Sequence, residues 1–86
     1  MPETNAITSK VWQDRVKDER KQQEAKWGEQ NHSANKWLGI LDHEVAKLHI
    51  AVEKHPNSSH EVDKRIVQVA SVCQAMWESG VRGEWL

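Results

Sequence analysis

Two polar side chains interrupt otherwise apolar helical faces, Glu44 in one segment and Arg65 in another, and each has a polar neighbour three residues on, Lys47 and Gln68. Within each pair the spacing is three, which puts both members on one side of a helix, a turn apart. The segments are joined by a short polar connection around Pro56, so in an antiparallel hairpin 44 comes level with 68 and 47 with 65. A carboxylate so placed can ligate a hard divalent cation or exchange a proton. Beside Lys47 and Arg65 it reads equally as part of an ion pair, such as Glu44–Arg65, that holds two helices in register. A third reading is a cationic cluster that holds a phosphate.

The other chemistry-bearing residues carry less. His43-Glu44-Val45-Ala46-Lys47 lacks the second histidine of a His-Glu-x-x-His zinc pattern. The histidines at 32, 43, 49, 55 and 60 have no ligand spacing and are expected at solvated or capping positions. Cys73 falls inside an apolar arc and is expected to be a buried, inert thiol; alone, it makes no internal disulfide. Lys26, Trp27 and Trp37 flank one connection, where the two indoles either plug the end of a bundle or frame a ligand or partner. Trp12, Trp77 and Trp85 are candidate interface anchors, since Trp is enriched at binding hot spots.

The elements that must position these groups are helices. Helix 1 is expected over about 9–27, from an N-cap at Ser9 to Gly28 as the residue past its end. Its apolar positions are sparse: Trp12, Val16 and Trp27. Ser33 caps a second helix, about 34–55, stopped by Pro56. Ser58-Ser59-His60-Glu61 is a capping box that opens a third, about 59–79, ending before Gly80 and leaving a tail, 80–86. Leu38, Ile40, Leu41, Val45, Leu48 and Val52 make a wide apolar arc on the second helix. Val62, Ile66, Val69, Val72, Cys73, Met76 and Trp77 make another on the third. One sparse first helix cannot cover both, so the expected fold is an all-α antiparallel bundle of three helices that dimerises through the second and third.

Composition sets the outer bounds. Eighty-six residues make a single domain at most. A net charge of −1 argues against a protein that coats nucleic acid and against an acidic mimic of it. Five Trp with neither Tyr nor Phe imply a Trp-dependent core or Trp presented to a partner. There is no charged-then-apolar leader and no run of 18 apolar residues, so a cytoplasmic protein outside the membrane is expected.

Glu19-Arg20-Lys21-Gln22-Gln23-Glu24-Ala25-Lys26-Trp27-Gly28-Glu29-Gln30-Asn31-His32-Ser33, followed by Lys36-Trp37-Leu38-Gly39-Ile40-Leu41, resembles the opening of short MazG-like proteins common in phages and prophages. Val62 through Trp77 resembles their last core helix. The resemblance covers about residues 15–79 and is most specific at Lys26-Trp27-Gly28-Glu29-Gln30. It implies an all-α nucleoside triphosphate pyrophosphohydrolase that cleaves between the α and β phosphates with Mg²⁺ and assembles as a dimer or tetramer. It also implies a metal site built from Glu-x-x-Glu on one helix and Glu-x-x-Asp on the next. The matching positions here are Glu44, Lys47, Arg65 and Gln68, with His43 where a further Glu often stands.

Only Glu44 keeps a carboxylate, and two cations stand where a dication would bind. The expectation is therefore a non-catalytic MazG-like phage protein with no catalytic residue, no metal and no cofactor. It would bind a host protein in the bacterial cytoplasm and antagonise a defence system such as a CRISPR complex. The alternatives are a Mg²⁺-dependent nucleoside triphosphate pyrophosphohydrolase with a rebuilt site, and a nucleotide-binding protein without turnover.

Overall fold

The computed structural model describes the backbone of residues 2–83 and the side chains of residues 8–83. It contains three helices, α1 (Pro2–Trp27), α2 (Ala34–Lys54) and α3 (Ser59–Val81), and no strand among the described residues. The chain is an all-α bundle.

The helix ends follow from local chemistry. Ser33 Oγ accepts the Lys36 N–H at 3.3 Å and caps α2. Ser58 Oγ accepts the Glu61 N–H at 3.4 Å and caps α3. The reciprocal half of that box is not made: the Ser58 N–H donates to the His55 carbonyl at 3.0 Å, and Glu61 Oε2 is buried without a partner. Gly28 takes φ +72° just past α1, and its N–H reaches the Glu24 carbonyl at 2.7 Å. This is the left-handed conformation that glycine adopts without a Cβ penalty.

Two expected boundaries move. Ser9 does not cap α1: the helix begins at Pro2, and Ser9 lies inside it, accepting from Gln13 Nε2 at 3.4 Å. Proline in a first helical turn forfeits no hydrogen bond, so nothing in the first residues forces a later start. At the other end α3 runs through Gly80 to Val81, and the positive φ falls on Gly83 instead. A single glycine costs a helix only about 1 kcal/mol, so Gly80 alone does not force the helix to end there.

α2 and α3 run antiparallel. Trp37, at the start of α2, is buried against Val72 and Ala75 near the end of α3, with Ile40, Leu41 and Met76 around it. At the other end Ala51 and His55 share a small cavity with Glu61 and Arg65. α1 runs in the same sense as α3. Arg15 pairs with Asp63 in the first turns of α3, and Arg20 pairs with Glu78 in its last, at 2.8 Å. Val16 is the one large apolar side chain that α1 buries among the described residues. Polar ties therefore supply much of what the sparse apolar pattern of α1 lacks.

α1 packs on α3 alone. Among the described residues, no Cα of α1 comes within 8 Å of one of α2. The face of α3 that is buried is Val72 together with a strip of mostly small side chains at four-residue spacing: Val67, Ser71, Ala75 and Ser79. Ile66, Cys73 and Trp77, expected in the core, are exposed instead, as are Leu38 and Val52 of α2. Both apolar arcs are wider than one neighbour can cover, and the uncovered parts face outward.

Candidate functional site

Because α1 and α2 both pack on α3 and not on each other, they leave a groove between them with α3 as its floor. It holds about 350 Å³ and is floored by Gln68, Val72 and Ala75. Glu44 and Lys47 of α2 form one wall; Arg20, Gln23, Glu24 and Trp27 of α1 form the other. The loop after α1 contributes Glu29 and Gln30, and Arg82 closes the end.

The four clustered positions line two adjoining cavities, and each pair is bonded within its own helix. Glu44 Oε1 accepts from Lys47 Nζ at 3.1 Å, and the Glu44 side chain is only 17% exposed. Arg65 Nη1 donates to Gln68 Oε1 at 2.8 Å. Glu44, Lys47 and Gln68 line the groove; Arg65 lies on the far side of Lys47, in the cavity at the turn end of the hairpin. The Glu44–Arg65 pair is not formed, because each partner finds a nearer one three residues away on its own helix. His43 is exposed and lines neither cavity. Asp42 is exposed as well.

This donor set does not suit Mg²⁺. A hard dication takes oxygen ligands and gains from carboxylate charge. Here the one carboxylate is neutralised by an ammonium, and the Gln68 oxygen is taken by a guanidinium. Among the described residues no group of three His, Cys, Asp or Glu side chains is arranged to hold a metal ion.

Trp27 and Trp37 do different things. Trp37 is 1% exposed and forms the core, so it plugs the bundle as one reading required. Trp27 does not: it is 56% exposed at the groove rim, with Lys26 Nζ 4.8 Å from its ring centre. The Trp37 Nε1 is buried without a hydrogen-bond partner, an unusual state for an indole inside a protein. Cys73 is exposed, not buried. Trp12 and Trp77 are both exposed; Trp85 lies outside the described residues.

Two contributors were missed in the sequence. His32 is not a solvated histidine: its ring packs edge-on against Trp37 at 5.0 Å, and its backbone N–H reaches the buried Ser79 hydroxyl at 3.4 Å. Arg20 is the second. Its side chain is 14% exposed, and it bonds Gln23, Glu24 and Glu78. The Arg20–Glu24 bond is the ordinary four-residue pairing on a helix surface; nothing local announces Glu78. Burial alone would raise the Glu78 carboxyl. Hydrogen bonds from Arg20 and Gln74, with the charges of Arg20 and Arg82, outweigh it and hold the group below the usual glutamate value.

The groove carries balanced charge. Glu19, Glu24, Glu29 and Glu44 face Arg20, Lys26, Lys47 and Arg82. Three of those four cations pair with a groove carboxylate, and the fourth sits on an indole. Protein-family models, curated proteins and solved structures all return no match to this chain.

Proposed function

We propose that this chain is a non-catalytic, MazG-like binding protein whose groove between α1 and α2 takes a segment of a partner protein. The observation that carries this reading is the closure of the four clustered positions on themselves, Lys47 on Glu44 and Arg65 on Gln68. A site that must gather a dication and a polyphosphate needs free carboxylates, and this one has none to spare. Trp27 on the rim supplies an exposed, rigid aromatic anchor of the kind that dominates protein interfaces. A host protein, with defence complexes as the class expected from the resemblance, is the proposed partner.

A nucleotide held without turnover is the second reading, favoured by the groove volume and by Lys26, Lys47, Arg20 and Arg82 on its walls. The charge balance weighs against it. A triphosphate brings about four negative charges and would meet four glutamates beside cations that are already engaged.

The test is pyrophosphate release from ribo- and deoxynucleoside triphosphates with Mg²⁺ or Mn²⁺, beside a Glu44→Gln control. The expected result is no release above the control. Turnover that disappears in Glu44→Gln would overturn the proposal. Saturable nucleotide binding without turnover would establish the second reading in its place.

A further inference from the structure

We infer that α1 undocks from α3 as a unit while the α2–α3 hairpin stays folded, and that ionic strength sets how often it does so. The side of α1 turned toward α3 is polar. Between residues 8 and 27, Arg15, Val16, Glu19, Arg20 and Gln23 are the buried or partly buried side chains, and Val16 alone among them is apolar. They fall on one stripe of the helix. The seam between α2 and α3 is built differently, from Trp37 on Val72 and Ala75 with Ile40, Leu41 and Met76 around them. Hydrophobic stabilisation grows with the apolar area buried, so the α1 seam is the weaker of the two.

Charge holds α1 in place. Arg15 pairs with Asp63, and Arg20 with Glu78. The first pair is 38% and 46% exposed, open to water and salt. Exposed pairs hold weakly and are screened as salt rises. The second pair, 14% and 31% exposed, is the firmer tie. Uncovering α3 sacrifices little on its own side, because its buried edge is mostly small side chains. The Ser71 hydroxyl keeps its acceptor, the Val67 carbonyl at 2.8 Å, whatever lies over it.

The pivot is Gly28. The chain just beyond it is fastened to the end of α3 without help from α1. Arg82 donates to the Gln30 carbonyl at 3.2 Å and to Asn31 Oδ1 at 2.8 Å, and the His32 N–H reaches Ser79 Oγ at 3.4 Å. Gly28 separates this fastened stretch from the last residue of α1, at φ +72° and with no atom within 4 Å of an added Cβ. Glycine has the widest backbone freedom, so rotation there swings α1 and leaves the loop in place. Once released, α1 frays, because most helical stability in a protein comes from packing. Arg20, Gln23, Glu24 and Trp27 belong to α1, so the groove exists only while α1 is docked. What this means for a partner segment rests on the function proposed above; the undocking itself does not.

Amide hydrogen exchange of the full chain at about 20 mM and about 500 mM NaCl tests this, since the screening length falls from about 20 Å to about 4 Å between them. At low salt the amides of residues 12–24 are expected to be about tenfold or more less protected than those around Trp37 and Val72, which report opening of the hairpin. At high salt α1 is expected to lose about a further fivefold, with the hairpin changing by less than about twofold. The double substitution Asp63→Asn, Glu78→Gln removes both ties from the α3 side and leaves the sequence of α1 intact. It is expected to bring α1 near its high-salt protection already at low salt, and to remove most of the salt response, with the hairpin amides unchanged. Equal protection of α1 and the hairpin, loss of protection in both together, or no response of α1 to salt overturns the inference. So does a salt response that survives in full in the double variant, which would assign it to pairs within α1 such as Arg20–Glu24. The salt comparison in the unsubstituted protein decides alone if the double variant does not fold. Turnover in the pyrophosphate assay would overturn the proposed function and leave this result standing.

Discussion

Replacing Trp37 by Ala removes the largest fully buried side chain of the bundle, and its cost can be worked from its surroundings. Trp37 is 1% exposed and is packed on Val72, Ala75, Ile40, Leu41 and Met76. Deleting a buried Trp costs about 3–5 kcal/mol through lost contacts and the cavity left behind. Its Nε1 has no hydrogen-bond partner, so no bond is lost and a desolvation penalty is relieved. That places the expected cost at the low end, about 3 kcal/mol. A domain of 86 residues has a total stability of about 4–13 kcal/mol, so the loss takes a quarter to most of it. With a urea slope of about 1 kcal/mol/M, the midpoint falls by about 3 M. Urea titration followed by circular dichroism at low protein concentration is the assay, because five indoles confuse fluorescence. Trp27→Ala is the matched deletion: the side chain is 56% exposed, and its contact with Lys26 is worth about 1 kcal/mol at most. Equal midpoint shifts for the two variants, or a larger one for Trp27→Ala, would refute the assignment of the core to Trp37.

Two glycines predict opposite signs. At Gly39, inside α2, an added Cβ meets no atom within 4 Å, so Gly39→Ala is expected to stabilise by about 0.5–1 kcal/mol and raise the melting temperature. Gly28 has equal space but φ +72°, so Gly28→Ala is expected to destabilise by about 1 kcal/mol; thermal melts of both variants check the pair. Acid stability reads the Arg20–Glu78 tie. A carboxyl whose folded value is depressed contributes fully above its unfolded value, and the contribution is lost as pH falls through the folded one. The stability gap between the unsubstituted protein and Glu78→Gln is therefore expected to be greatest near neutral pH. It should begin to shrink as pH drops below the ordinary glutamate value of about 4.3 and close only below the lower folded value, as denaturant titrations at several pH values will report.

The hairpin was legible because its signals are local. Ser33, Ser58, Pro56 and Gly28 each act within a turn of where they sit, and each marks an end or a connection in the structure. The levelling of Glu44 and Lys47 with Arg65 and Gln68 followed from helix rise and the short turn. Which partners those groups chose did not: a cross-helix and an intrahelical bond were equally open, and the shorter reach prevailed. The core of α3 was misread for a different reason. Its apolar arc is wide enough to hide which edge is buried, and large side chains drew the assignment to Ile66, Cys73 and Trp77. Of the expected arc Val72 is buried, with Met76 packed beside it; the rest of the buried edge is the strip of Val67, Ser71, Ala75 and Ser79, which includes two hydroxyl residues. Ser71 is satisfied there by donating to the Val67 carbonyl at 2.8 Å, a bond that no composition or hydropathy pattern reveals. The docking of α1 was hidden likewise, since Arg20 and Glu78 lie 58 residues apart.

The central claim is that the cluster of Glu44, Lys47, Arg65 and Gln68 is closed on itself and does not take a divalent ion. Paramagnetic broadening of the amide spectrum by Mn²⁺ tests this residue by residue. The account predicts weak broadening scattered over exposed carboxylates, full intensity at 44, 47 and 68, and the same pattern in Glu44→Gln. Steep loss of signal centred on 44 and 68 at substoichiometric Mn²⁺, abolished by Glu44→Gln, would contradict it and make Glu44 the anchor of a working metal centre.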